Sequence, residues 1–213
     1  MAVDEIEFAS VETLRHTPRL RPDRDGRWAV VPSGVPEADE RPIFVALDVL
    51  REVESHAVSD VRVELGGVLL GTACEDDQGA PFLVIEDSLR ARHYESTAGS
   101  LKFTHATWAA FTAQRAGMPE ARQIVGWYHS HPNLGVFLSE WDRFICEHFF
   151  RGPADVALVI DPCQQDRGFF QWSRGGPPQR TTGFYVFSSR QRFAELKCLV
   201  AYLNVRWNVF SFS

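Results

Sequence analysis

The stretch from Arg122 to Phe150, RQIVGWYHSHPNLGVFLSEWDRFICEHFF, constrains the fold more than any other part of the chain. An apolar run ends on two histidines and a proline, a loop follows, and S-E-W-D opens a second apolar run. Residues i and i+2 of a strand share a face, so His129 and His131 can aim their imidazoles at one point. Pro132 removes a ladder donor and ends the strand. After the seven residues PNLGVFL, Ser139 and Asp142 have capping-box spacing, Ser139 at the N-cap and Asp142 at N3. A buried strand, a short loop and a capped helix in that order belong to a layered α/β domain.

The flanking sequence extends this pattern. Residues 1 to about 41 are rich in charge and turn formers and read as an extension or arm with two short strands, EIEFASVE and RWAVV. From Pro42 onward, residues 42–213 read as one domain. IFVAL is a strand, and Asp48 is placed to cap a helix running to about His56, with Val49, Leu50, Val53 and Ala57 on one face. VELGGVLLGTAC is an apolar run whose three glycines predict close backbone approach. PFLVIEDSL is the next strand, and Thr104 opens a helix from His105 to Ala116 with Trp108 and Phe111 inward. DVALVID, GFFQWS and GFYVFSS add strands, and RQRFAELKCLVAYLNVRW closes the chain as a helix with Phe193, Leu196, Leu199, Val200 and Leu203 at helical spacing. The expected architecture is a mixed central β-sheet flanked by helices.

Composition narrows the function. A formal charge of −6 argues against nucleic acid, whose phosphates need a basic face. No run of 18 apolar residues occurs, and MAVDEIEFAS lacks the basic-then-apolar pattern of a signal peptide, so the expectation is a cytoplasmic chain with no membrane partner. Cys74, Cys146, Cys163 and Cys198 form no C-x-x-C pair and read as small buried thiols.

Taken singly, H-x-H is most often a pair of structural histidines and S-x-x-D a helix start. Together, two imidazoles and one carboxylate make the three-ligand set of a catalytic zinc, with the fourth position left for water. No cysteine lies nearby to close the site, and Mg2+ or Ca2+ takes more oxygen ligands than this cluster offers.

H-S-H-P-N-L-G-V-F-L-S-E-W-D resembles the signature H-S/T-H-P-x6-S-x-x-D of the JAMM, or MPN-plus, metalloproteases. V-E-L-G-G-V-L-L-G is similar to that family's upstream E-x-x-G-x-L-x-G and puts its glutamate at Glu64. The likeness in layout runs from about Ile43 to Trp172. It implies the three-layer, cytidine-deaminase-like fold of that family. It implies cleavage of peptide or isopeptide bonds at the C-terminus of ubiquitin or a ubiquitin-like protein, in precursors or conjugates. His129, His131 and Asp142 would hold Zn2+, Glu64 would be the general acid/base, and Ser139 would help to stabilise the oxyanion. The compact chain also resembles stand-alone bacterial members encoded beside ubiquitin-like conjugation systems, some of them antiviral.

The same resemblance leaves a second class open, a catalytically silent scaffold that binds partners; the intact five-residue set discriminates against it. Nucleobase deamination needs H-x-E paired with P-C-x-x-C, and zincin proteolysis needs H-E-x-x-H; neither P-C-x-x-C nor H-E-x-x-H occurs. Glu54 and Glu86 are fallback bases without motif support. His148, Trp127 and Tyr128 read as packing groups. Asp142 carries a conflict, since a capping side chain folds back on the N-cap while a ligand faces the metal. The segment RARHYESTAGSLKF and the loop PNLGVFL are placed to line a groove for an extended tail.

Overall fold

A computed structural model describes residues 16–118, 122–173 and 175–199. The strand expected at EIEFASVE, and Val200 and Leu203 of the closing helix, lie outside the described residues. In chain order the elements are β1 (Thr17–Pro18), β2 (Trp28–Gly34), β3 (Ile43–Ala46), α1 (Leu47–Ser59), β4 (Gly66–Glu75), β5 (Pro81–Arg90), β6 (Tyr94–Thr97), β7 (Ser100–Phe103) and α2 (His105–Arg115). They continue with β8 (Gln123–Ser130), α3 (Glu140–Phe149), β9 (Val156–Asp161), β10 (Asp166–Trp172), β11 (Pro178–Arg180) and β12 (Gly183–Ser189). A 3-10 turn (Arg190–Arg192) leads into helical residues 193–199.

The main sheet is mixed, in the order β11-β10-β9-β8-β4-β5-β3-β12-β2, with β1 alongside β4 and with β6 and β7 forming a separate hairpin. Helix α1 and Leu196 cover one face; Phe111 of α2 and Ile145 and Cys146 of α3 cover the other. Along β4, Leu69 packs on the α1 side while Val68 and Leu70 pack toward α2 and α3, the two-residue period of a strand buried on both faces. The mixed α/β sandwich expected from the sequence is what forms. Among the described residues, no helix is long and apolar enough to cross a membrane.

One irregularity decides where the histidines point. Between β4 and β8, Leu69 is opposite Gly126 but Leu70 is opposite Ile124, so Val125 is an extra residue. Val125 and Tyr128, three apart, therefore share the α1 face, while Trp127 lies on the α2–α3 face. Without this bulge, Trp127 and His129 would fall on the side of Val125, because a one-residue slip inverts every following side chain. The bulge needs a glycine. Gly126 has φ 155°, and a Cβ there would meet the Val156 carbonyl oxygen at 2.0 Å.

Several local expectations change. Helix α1 follows β3 directly with Ala46 at its N-cap and no side-chain cap, so Asp48 sits inside the first turn. From there its carboxylate accepts from Arg192 at 2.7 and 2.8 Å. The helix also runs on to Ser59, with Val49, Leu50, Val53 and Ala57 buried as the periodicity predicts. Strand RWAVV is the edge of the main sheet, antiparallel to β12. Only Cys74 and Cys146 are buried; Cys163 in the β9–β10 turn and Cys198 are exposed. Phe193 is exposed too, and Leu196 anchors the closing helix.

Candidate metal centre

Strand β8 lies between β4 and β9, with His129 opposite Gly66 on one side and Val159 on the other. The His131 amide still donates to the Ile160 carbonyl at 2.8 Å, so the chain stays extended past the last strand residue. His129 stacks on Trp127 at 4.2 Å between centroids, and its Nε2 is 3.0 Å from Nε2 of His131. Asp142 closes the cluster, its Oδ1 3.3 Å from His129 Nε2 and its Oδ2 3.4 Å from His131 Nε2. All three side chains are buried, and one donor atom from each lies within 4.8 Å of the others.

The two readings of Asp142 coexist because a carboxylate has two oxygens and a helix start has free amides. Its Oδ2 accepts from the Ser139 amide at 2.7 Å and from the Ser139 hydroxyl at 2.6 Å, and Ser139 Oγ accepts from the Asp142 amide at 3.2 Å. The capping box thus orients the carboxylate toward the imidazoles.

Glu64 joins the cluster from the segment before β4. It is 2% exposed, and its Oε1 is 3.7 Å from His131 Nε2. It is thus not a solvated residue at the strand edge. Its backbone is held by the β6–β7 hairpin, since its amide donates to Thr97 O at 2.9 Å and the Ser96 hydroxyl donates to its carbonyl. On the other side, the Leu65 amide donates to Ser130 Oγ at 2.9 Å. The segment RARHYESTAGSLKF is therefore mostly hairpin, tied to α3 through Trp141 Nε1 donating to Leu101 O at 3.0 Å.

Burial and charge act on these groups in opposite senses. Burial pushes the Glu64 carboxyl up to about 7, with the negative Asp142 adding and His131 opposing. Asp142 is buried as well, but the two imidazoles and the Ser139 hydroxyl outweigh that and hold its carboxyl well below the usual range. Burial depresses His129. For His131 burial is outweighed by Asp142 and Glu64, and its proton affinity rises.

This donor set fits a divalent cation. Among the described residues, the ion-pair partners of Asp142 and Glu64 are imidazoles. Two Nε2 atoms facing each other at 3.0 Å beside a buried carboxylate are satisfied together by one positive ion. Two nitrogens and one carboxylate oxygen match the borderline softness of Zn2+ better than that of Mg2+ or Ca2+. His131 Nδ1 faces the Gly135 carbonyl at 3.2 Å, which leaves its Nε2 lone pair for an ion. His129 Nδ1 is buried and has no hydrogen-bond partner among the described residues.

The other candidates lie elsewhere. Glu54 pairs with Arg167, and Glu86 with Arg19 at 3.1 Å. His148 points its Nδ1 at Phe144 O at 2.8 Å and stacks on the Phe144 ring, away from the cluster. Trp127 and Tyr128 are packing groups, as read. Ser96, Thr97 and Ser130, which hold Glu64 and Leu65, have no sequence signature, because their partners are far away in the chain. Asp161 does have a weak one. It ends an apolar strand just before a proline, a turn signal.

The layered α/β domain thus brings a buried His-His-Asp cluster able to hold a metal ion to the end of a central strand, with a glutamate beside it. The family model for prokaryotic homologs of the JAB domain matches residues 47–174, more than half of the chain, and the chain belongs to this JAMM/MPN family. It is 28% identical over 131 residues to the 26S proteasome non-ATPase regulatory subunit 14 of Caenorhabditis elegans, covering 59% of this chain and 39% of that one. Identity to the ubiquitin carboxyl-terminal hydrolase RPN11 of Saccharomyces cerevisiae is also 28% over 131 residues, covering 59% and 40%. COP9 signalosome complex subunit 5 of Eremothecium gossypii is 32% identical over 111 residues, covering 50% and 24%. The matches thus span at most about two fifths of these relatives.

Proposed function

We propose that this chain is a zinc-dependent peptidase that cleaves the bond after the C-terminus of a ubiquitin-like protein, with Glu64 as general acid/base. The observation that carries the reading is Glu64 itself, buried 3.7 Å from His131 with its carboxyl pushed to about 7. A structural zinc needs no such group, and a general base works best with a pKa near the working pH. His129, His131 and Asp142 would hold the ion, which when bound supplies Lewis acidity and an acidified water.

The chain's own residues do the rest. Glu64 accepts a proton on its carboxylate and delivers it to the departing nitrogen. That delivery matters because a lysine amine, with a reference pKa of about 10.4, leaves poorly unless it is protonated. Ser139 stands second in this reading, because its hydroxyl hydrogen is directed at Asp142. It helps an oxyanion only when Asp142 releases it. The β6–β7 hairpin beside Glu64 offers strand edges for an extended tail. Membership of a prokaryotic family supports a prokaryotic ubiquitin-like protein as the substrate.

The test is turnover of a panel of ubiquitin-like fusions by wild type and Glu64→Gln, with and without chelator. Glu64→Gln is expected to lose roughly 10²–10⁴ in rate while keeping its zinc. Full activity in that variant, or cleavage untouched by chelation, sinks the reading.

A further inference from the structure

We propose that Asp161 is a positioning residue for the metal ligand His131, acting through the loop that follows it; the inference rests on the metal reading above. Asp161 ends β9 and is fully buried. Its carboxylate accepts four backbone amides from two segments. Asn133 and Gly135 donate to it at 3.0 and 2.7 Å, and Cys163 and Gln164 at 2.9 and 3.0 Å. The first pair belongs to the loop after His131, the second to the β9–β10 turn.

The loop is shaped for this contact. Asn133 and Gly135 have φ 62° and 88°, left-handed conformations that turn nearby amides inward to make an anion-binding concavity. With its amides fixed on Asp161, the loop presents the Gly135 carbonyl to His131 Nδ1 at 3.2 Å. A carbonyl only accepts, so Nδ1 must carry the proton and Nε2 keeps the lone pair that faces His129 and Asp142. Asp161 thereby sets the tautomer and ring orientation of a ligand it does not touch.

The molecule contains its own control. In the β4–β5 turn, the Asp76 carboxylate accepts the Gln78 and Ala80 amides at 3.0 and 2.9 Å, and Gly79 has φ 77°. That turn repeats the carboxylate-to-amide contact on a smaller scale, with an Arg24 ion pair at 3.2 Å and no histidine attached. Asp161→Asn is expected to weaken Zn2+ affinity by roughly 10- to 100-fold, as loss of a ligand's outer support does. It should also change the visible spectrum of the Co2+-loaded protein, which reports ligand geometry. Gly135→Ala, whose new Cβ has nothing within 4 Å, should act in the same direction by a smaller factor, and it carries the test if Asp161→Asn does not fold. Asp76→Asn and Gly79→Ala should lower thermal stability but leave affinity and spectrum unchanged.

Affinity is read by competition with a chromophoric chelator. Wild-type affinity and spectrum in a folded Asp161→Asn, or in Gly135→Ala should Asp161→Asn not fold, overturn the inference. So does an equal loss of affinity in the two control variants. A wild-type chain that binds neither ion overturns the metal reading as well, a distinct outcome.

Discussion

Strand β8 carries a buried histidine environment on each face, and the two are built differently. On the α1 side, the Tyr128 hydroxyl meets His56 Nδ1 at 2.9 Å, with the rings edge to face. On the other side, one residue along, His129 meets His131, Asp142 and, through His131, Glu64. Burial is the leading influence on both sides. Toward α1 burial wins, and His56 is pushed down to about 4. At the cluster two carboxylates reverse it for His131. A buried histidine is therefore not itself a metal signature; convergent carboxylates supplied from another element make it one. Strand alternation puts Tyr128 and His129 on opposite faces, and the Gly126 bulge decides which face each one takes.

The sharpest way to break this contrast is to remove the carboxylate. Asp142→Asn keeps an oxygen for the Ser139 amide, so the helix start survives, but it takes the negative charge from the cluster. Zinc content is expected to fall from about one ion per chain to near zero, and turnover with it. The far-ultraviolet spectrum and the His56 side should be unaffected. Retention of full zinc by this variant would remove Asp142 from the ligand set.

A second variant attacks the assignment of the two faces. Gly126→Ala puts a methyl group 2.0 Å from the Val156 carbonyl oxygen. The nearest atoms are the backbone of the neighbouring strand, which cannot swing aside as a flexible side chain could. The loss of stability should be about 3 kcal/mol or more, measured as a shift in the denaturant midpoint. A wild-type midpoint would mean that the strand tolerates a regular register, and the bulge would no longer explain where His129 points.

These two residues also mark what could be read from the sequence. His129, His131, Ser139 and Asp142 were legible because strand period, proline and capping-box spacing are local, and the alternation of strands and helices gave the mixed sheet. The bulge was not legible, since it appears only when β4 and β8 are paired. The motif located Glu64, but its burial depends on Ser96 and Thr97 folding back as a hairpin. Asp161 was missed for a similar reason, because its partners are backbone amides that loop conformation alone brings together. Asp48 was misread as a cap because nothing in the local sequence shows that α1 begins without a linker after β3.

The smallest expected effect sharpens the comparison from the quiet side. His56 has a folded-state value of about 4, below the usual 6.5, so the fold favours its neutral form. Its contribution to stability is complete above pH 6.5. It declines as pH falls toward 4, where the imidazole protonates within the fold as well, and below that it changes no further. Glutamine at this position stays neutral throughout and can still hydrogen-bond the Tyr128 hydroxyl. His56→Gln is thus expected to cost no more than about 1 kcal/mol at pH 7.5 and to show a shallower loss of stability than wild type between pH 6.5 and 4. Zinc content and turnover should not change. Parallel stability profiles for the two proteins would show that His56 is not held neutral. A change in zinc content would show instead that the two faces of β8 are coupled through Tyr128, and the separation drawn between them would fail.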